Sequence, residues 1–160
     1  MPLLATLVAE IVEKEGPIHE RLIVERLKET YGIDEIARES NAAANITKAI
    51  DLAVQDRGLK RGRTGWFLFK GGDLPAGFRV PGDGVFRSLD LVPPEEIEAA
   101  MLHMVEDQFG LMRDRIPRVV GLALGIKRLS GEAAGIIDRA VDDLVERRLL
   151  CISGWNVHLC

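Results

Sequence analysis

Aromatic residues are scarce in this 160-residue chain, where one tyrosine, two tryptophans and five phenylalanines make up 5% of the residues. A surface that holds single-stranded nucleic acid by stacking successive bases needs several exposed rings, so the composition argues against such a platform. No apolar run approaches the roughly 20 residues that span a bilayer. The N-terminal stretch carries acids instead of the basic residues of a signal peptide. We therefore expect a cytoplasmic protein that has no membrane partner.

An excess of positive charge is also missing, since 21 Lys and Arg stand against 25 Asp and Glu and give a net charge of −4. Proteins that coat nucleic acid without sequence preference are usually basic. Any contact with nucleic acid must therefore come from a local basic patch. The acidic excess is larger in the second half of the chain, so the first half is the better place to search for it.

Cysteine is nearly absent, and only Cys151 and Cys160 occur. A two-residue turn at Ser153 and Gly154 would place Cys151 opposite Asn156, and a bridge to Cys160 would then break the register of the hairpin. We expect two free thiols, as in most proteins of a reducing cytoplasm.

Two patterns meet in residues 40–69. Apolar residues recur at helical spacing from Asn41 to Asp56, which predicts an amphipathic helix capped by Ser40 or Asn41. Gly58 suits the left-handed conformation that ends a helix. A short hairpin follows, with strands predicted at residues 59–61 and 66–69 around a glycine-bounded turn. A helix that runs directly into a basic hairpin is typical of a winged helix-turn-helix.

Two further helices are predicted before this stretch. Apolar residues at helical spacing indicate one helix over residues 3–15, which Gly16 and Pro17 end. The second is predicted from His19 to Gly32, and residues 33–39 form a loop before the third helix.

The same order of patterns returns in the second half of the chain. Pro93 and Pro94 open a helix, Asp114 is expected to cap the next one, and Ser130 caps a third. This third helix should bury Ile136, Ala140 and Leu144. An internal repeat of this kind indicates two copies of one structural unit.

The repeat predicts a mainly α-helical protein with small β-hairpins, of the α+β class, built from two tandem winged helix-turn-helix units. The first unit is expected over residues 1–70 and the second over residues 95–160. Residues 71–94 hold five glycines and four prolines and read as a connector with one short strand near residues 85–89. Trp66 and Trp155 occupy equivalent hairpin positions, and each ring is expected to fold against the helices of its own unit. The alternative is a ring that stacks on a nucleobase.

Three segments resemble a known family, the bacterial domain of unknown function 3320. They are IVEKEGPIHERLIVERL at residues 11–27, LVPPEEIEAAMLHMVEDQFG at 91–110 and LGIKRLSGEAAGIIDRAVDDLVERRLL at 124–150. This family occurs near the C-terminus of very large helicase-related proteins, so the resemblance implies an accessory module of a helicase-type polypeptide. It implies no catalytic residues. The acidic loop at residues 33–39 departs from the basic, glycine-containing loop expected of the family.

The candidate DNA contacts lie on the third helix and hairpin of the first unit. Asn and Gln can bond the edge of adenine in the major groove, and Lys can reach guanine or phosphate. Basic residues of the hairpin would lie near the phosphates. The alternative is an ordinary solvated helix face. The predicted nucleic-acid-binding residues are Asn41, Asn45, Lys48, Arg57, Lys60, Arg61 and Arg63.

The second unit is a weaker candidate for DNA contact, because its third helix carries five carboxylates that would repel phosphate. Its hairpin has no Lys or Arg at all. We expect this unit to pack on the first unit or on a protein partner.

No enzyme activity is expected. The three histidines lie far apart and lack the spacing of zinc ligands, and no phosphate loop or serine elbow is present. The acids at positions 95, 96 and 98 are explained by the dipole of the helix they open. No metal or cofactor is predicted.

Three hypotheses about function follow. The first is a non-catalytic module that engages duplex or forked DNA, and the second is a scaffold for protein interaction or homodimerisation without DNA contact. The third is a stand-alone transcriptional regulator, which would need a two-fold dimer and a palindromic target.

Overall fold

Two units divide the chain, Met1–Leu74 and Pro75–Cys160. A computed structural model describes residues 2–37, 40–71, 77–82 and 87–160. Among these residues, the longest apolar helical segments are too short or too polar to cross a bilayer.

Three helices and a three-stranded antiparallel sheet form the first unit, which we call unit 1. Its elements are α1 (Pro2–Glu15), β1 (Ile18–His19), α2 (Glu20–Tyr31), α3 (Asn41–Asp56), β2 (Leu59–Arg61) and β3 (Phe67–Lys70). The sheet order is β1-β3-β2, so the predicted hairpin forms and gains a third strand. Ile18 pairs with Leu68, and His19 pairs with Phe67. A strand of two residues has too little pattern to be read from the sequence.

The helices of unit 1 begin and end within one residue of the predicted positions. Ser40 accepts a hydrogen bond from the amide of Ala43 at 3.2 Å, as an N-cap does. Gly32 takes the left-handed conformation and closes α2. Ile46, Ile50 and Ala53 on α3 are buried, which confirms the apolar stripe. They join a core whose other members are Ala5, Val8, Val12, Ile18, Ile23, Leu27, Ala49, Leu59 and Leu68.

The second unit, unit 2, repeats this order of elements. It contains α4 (Pro94–Asp107), β4 (Leu111–Met112), α5 (Ile116–Ala123), α6 (Gly131–Glu146), β5 (Leu150–Ser153) and β6 (Asn156–Leu159), with 3₁₀ turns at Leu89–Leu91 and Arg113–Arg115. Its sheet order is β4-β6-β5, and all pairs are antiparallel. The protein is therefore α+β.

Two details of unit 2 differ from the sequence prediction. Asp114 does not cap α5, because it lies inside the 3₁₀ turn and α5 begins only at Ile116. On α6 the buried residues are Ile137, Val141 and Leu144, while the other two predicted core residues are only partly buried. The apolar run on α6 is wide enough to permit either face, and packing in the core selects one.

The segment of unit 2 that precedes α4 is held to this helix by a buried carboxylate. Glu96 is 3% exposed and accepts from Arg79 Nε at 2.7 Å and from Arg87 at 3.0 Å. Arg87 also donates to the carbonyl of Arg79 at 3.1 Å. Of the strand predicted near residues 85–89, positions 85 and 86 lie outside the described residues, and Leu89 lies in a 3₁₀ turn. The carboxylate of Glu96 therefore has a structural role beyond its position in the first turn of a helix.

The two cysteines form a disulfide, so the expectation of free thiols is wrong. The turn of the β5–β6 hairpin falls at Gly154 and Trp155, since Ser153 pairs with Asn156. This turn lies one residue later than predicted and moves each partner two positions along the strand. Cys151 consequently pairs with His158, and its Cα comes within 5.1 Å of the Cα of Cys160.

Candidate nucleic-acid interface

One face of α3 is polar and open to solvent. Asn41, Asn45, Lys48 and Gln55 are all exposed, and their spacing places them on the side of the helix opposite the buried stripe. No ion pair joins Lys48 to another residue of the described part of the chain. This face offers three amide side chains and a cation in the arrangement that the sequence predicts.

Arg61 has a different environment from the one expected. Its guanidinium pairs with Glu20 at the start of α2, with Asp51 on α3 at 3.0 Å and with the carbonyl of Gly65 at 2.7 Å. Burial lowers the pKa of Arg61, but hydrogen bonds and charge interactions with Glu20 and then Asp51 together outweigh it, so the pKa lies above its ordinary value. Two carboxylates compensate its charge, which speaks against Arg61 as a phosphate contact.

The pair with Asp51 has a second effect on the same surface. Asp51 is exposed and lies one turn from Lys48, at the margin of the polar face of α3. A free carboxylate there would repel a phosphate. Arg61 neutralises this carboxylate, which lies beside Lys48 on α3.

The other three predicted basic contacts lie in different surroundings. Lys60 and Arg63 are exposed on the hairpin. Arg57 follows the last residue of α3 and donates to the hydroxyl of Thr6 on α1 at 3.0 Å. A hydroxyl is neutral, so this bond leaves the charge of Arg57 in place but directs it toward α1. The seven predicted residues are therefore all in unit 1, but Arg57 and Arg61 contact different helices.

A groove of about 530 Å³ lies between α2 and α3, and we call it the α2–α3 groove. Its floor is apolar and its rim is polar. The residues that line it are His19, Glu20, Arg21, Val24, Glu25, Ile36, Ala43, Ile46, Thr47, Ile50 and Trp66.

The ring of Trp66 stands at this groove and is 59% exposed, so the prediction that it folds against the helices is wrong. Its plane lies within 9° of the His19 ring, with the centroids 6.4 Å apart. The His19 ring is in turn held edge-on by buried Phe67 at 4.9 Å. Trp66 precedes β3, where the buried positions begin only with Phe67, and the strand starts one residue later than predicted.

Unit 2 presents a different surface. Trp155 lies in the turn of the β5–β6 hairpin and is 83% exposed, which contradicts the prediction of a buried ring. Phe109, before β4, is 94% exposed. Two carboxylates of α6 are paired with arginines, Asp142 with Arg113 at 2.8 Å and Asp143 with Arg147 at 3.0 Å. These pairs neutralise two of the five carboxylates that the sequence places on α6.

Within the described ranges, no three His, Cys, Asp or Glu side chains come together as a metal site would require. Glu98 of α4 is instead paired with Arg147 at 2.8 Å. The pKa of Arg147 is raised by its hydrogen bonds, first to Glu98 and then to Asp143.

Sequence reasoning missed the partners of its own candidate residues. Glu20, Asp51 and Glu96 each hold an arginine from another element. The sequence did indicate that a carboxylate lies near the candidate face, because Asp51 is one helical turn from Lys48 and shares part of the same face. No pattern in the sequence indicated the contact of Glu20 with the hairpin, because Glu20 follows β1 and comes near the hairpin only when β1 pairs with β3.

Residues 1–38 of the chain match a family described as "Protein of unknown function (DUF3320)". The match covers α1, β1 and α2 and ends before α3. No curated protein and no solved structure matches the chain.

Proposed function

We propose that this chain is a non-catalytic accessory module of a helicase-related protein, built from two winged helix-turn-helix units, and that unit 1 binds duplex or forked DNA. The observation that carries the proposal is the exposed polar face of α3 beside a hairpin with exposed basic residues. The resemblance of the chain to a domain found in helicase-related proteins supplies the context.

In this proposal α3 enters the major groove. Asn41 and Asn45 bond base edges, and Lys48 reaches guanine or phosphate. Lys60 and Arg63 of the hairpin lie along the phosphates, where they fix the position of the duplex. Arg61 holds the hairpin on α2 and α3 and removes the repulsion of Asp51, so it shapes the interface without binding DNA itself.

The test uses fluorescence anisotropy of a labelled duplex at several salt concentrations. Replacing Lys48, Lys60 and Arg63 together by alanine should weaken binding and lower the salt slope by about 0.9 for each phosphate that the variant no longer neutralises. Lys14→Ala is the matched control, because Lys14 is an exposed cation on α1. Equal binding by the triple variant and the control would sink the proposal.

Exposed apolar side chains on unit 2 favour a second candidate function, a scaffold for protein interaction or homodimerisation. Phe109 and Trp155 are nearly fully exposed, and large exposed apolar side chains mark interaction surfaces when they adjoin. Sedimentation would detect a dimer that grows with protein concentration and is absent in Trp155→Ala. A monomer at every concentration, together with duplex binding at low salt, would reject the dimer and leave DNA binding as the remaining function.

A further inference from the structure

We propose that the α2–α3 groove binds one unpaired nucleobase, stacked on the ring of Trp66. This inference rests on the proposed function and adds a ligand of stated chemistry to it. The duplex would contact the face of α3, and a base from an adjoining single strand would enter the groove.

The first argument is the presentation of Trp66. A tryptophan whose ring is more than half exposed forgoes the free energy that burial would give it. Its orientation is nevertheless defined, since the parallel His19 ring lies beside it and Phe67 holds His19 edge-on. A planar ligand therefore meets an aromatic surface that is already oriented, and stacking costs little further conformational entropy.

The second argument is the composition of the groove. Val24, Ile46 and Ile50 provide apolar lining, and Thr47 and Arg21 provide polar lining. The hydroxyl of Thr47 donates to the carbonyl of Ala43 at 3.1 Å, so toward a ligand it acts as an acceptor. A nucleobase has two apolar faces and a polar edge, so it suits a site with this division. The volume of about 530 Å³ lies within the range of small-ligand sites.

The third argument is electrostatic. Two carboxylates at the rim would repel the phosphate attached to a base if they were free. Glu20 is paired with Arg61, and Glu25 is paired with Lys28 at 3.1 Å. Both acids are compensated within unit 1, and a strand can approach the groove.

The fourth argument is position. Ala43 and Thr47 of α3 line the groove, and Lys48 follows Thr47 directly on the polar face. The same helix thus borders both the proposed duplex surface and the groove. A site for a single base at the margin of a duplex surface suits a fork or a tailed end.

The experiment compares a blunt duplex with the same duplex carrying a single-stranded oligothymidylate tail. In a Trp155→Phe background, Trp66 is the only tryptophan, and a stacked base should quench its fluorescence. We expect quenching by the tailed duplex and none by the blunt one. Emission that responds to N-acetylphenylalaninamide but not to the tail would assign the groove to protein side chains and overturn the inference.

Affinities supply the second readout. Trp66→Ala should weaken binding of the tailed duplex by roughly 5- to 150-fold, the value of one stacked base, and leave the blunt duplex unchanged. Trp66→Phe should retain most of the preference for the tail, and Trp155→Ala is the matched control in unit 2. Equal affinities for tailed and blunt DNA in the native protein would overturn the inference.

The two proposals fail in distinguishable ways. Duplex binding that depends on Lys48 but shows no preference for the tail would overturn the inference about the groove and leave the proposed function in place. Quenching by oligothymidylate alone, without measurable duplex binding, would support the groove and remove the duplex function.

Discussion

Arg61 and Asp51 form an ion pair of 3.0 Å that ties the hairpin of unit 1 to α3. The same guanidinium also pairs with Glu20 of α2, so one side chain links three elements. A residue that the sequence offers as a DNA contact is thus used inside the unit, whereas Lys48, Lys60 and Arg63 have exposed positions.

Replacing Arg61 by alanine should lower the free energy of unfolding of unit 1 by about 1 kcal/mol, because partly exposed ion pairs contribute up to about that amount. Urea denaturation followed by circular dichroism measures the change. Lys48→Ala, which removes a surface cation that holds no other element, should stay within about 0.5 kcal/mol of the native protein. An Arg61→Ala protein as stable as Lys48→Ala would show that the three-element link is dispensable.

Replacing Glu96 by glutamine should destabilise unit 2 by about 3 kcal/mol, because the largely buried Arg87 and the partly exposed Arg79 would lose the buried charge that compensates them. Glu106→Gln is the matched control, since Glu106 is an exposed acid on the same helix. Chemical denaturation of both variants checks the difference. A Glu96→Gln protein that unfolds together with Glu106→Gln would mean that the segment before α4 is held by other contacts.

Gly125→Ala should destabilise unit 2, by about 1–3 kcal/mol if the segment with Pro81 shifts to accommodate it. A Cβ at Gly125 would overlap the ring of Pro81, and the φ of +75° disfavours any side chain. Gly131→Ala is the control, because no atom lies within 4 Å of its Cβ position. Thermal unfolding should separate the two variants, and equal melting temperatures would contradict the close packing of Pro81 on Gly125.

The purified chain should take up no alkylating reagent before reduction and two equivalents after it, as intact mass spectrometry would record. The bridged cysteines are nine positions apart, and the entropy of closing a loop of this length predicts that the bridge stabilises the folded chain by about 2–3 kcal/mol. Cys151→Ser should take up one equivalent without reduction. Two equivalents on the unreduced native chain would show that the hairpin leaves the cysteines apart.

Helices were predictable where the signal is local. The stripe at Ile46, Ile50 and Ala53 and the cap at Ser40 lie within one segment, and hydrogen bonding between neighbours in the chain decides them. On α6 the same reasoning placed Leu144 correctly but chose Ile136 and Ala140 over the more deeply buried Ile137 and Val141, because neighbouring apolar residues are alike and only the shape of the core distinguishes them. The candidate face of α3 was predictable for the same local reason.

Strand pairing and side-chain partners were beyond such reasoning. The exposed ring of Trp66 follows from the point at which β3 starts to pair, and the disulfide follows from the position of a turn at Gly154 and Trp155. When a turn shifts by one residue, every residue of the hairpin acquires a different cross-strand partner. A small error in the predicted turn therefore gives a wrong set of contacts.

The sequence by itself determined the order of the helices and of the hairpin strands in both units, the spans of the helices in unit 1 and the polar face of α3, because helical periodicity and caps act between residues within one segment. Only the tertiary structure decided that Arg61 is held by acids 10 and 41 positions away, that Trp66 stands open beside a groove, and that Cys151 reaches Cys160. Those outcomes depend on which distant segments come into contact. The interactions that stabilise these contacts join residues that are far apart in the sequence, so no local pattern predicts them.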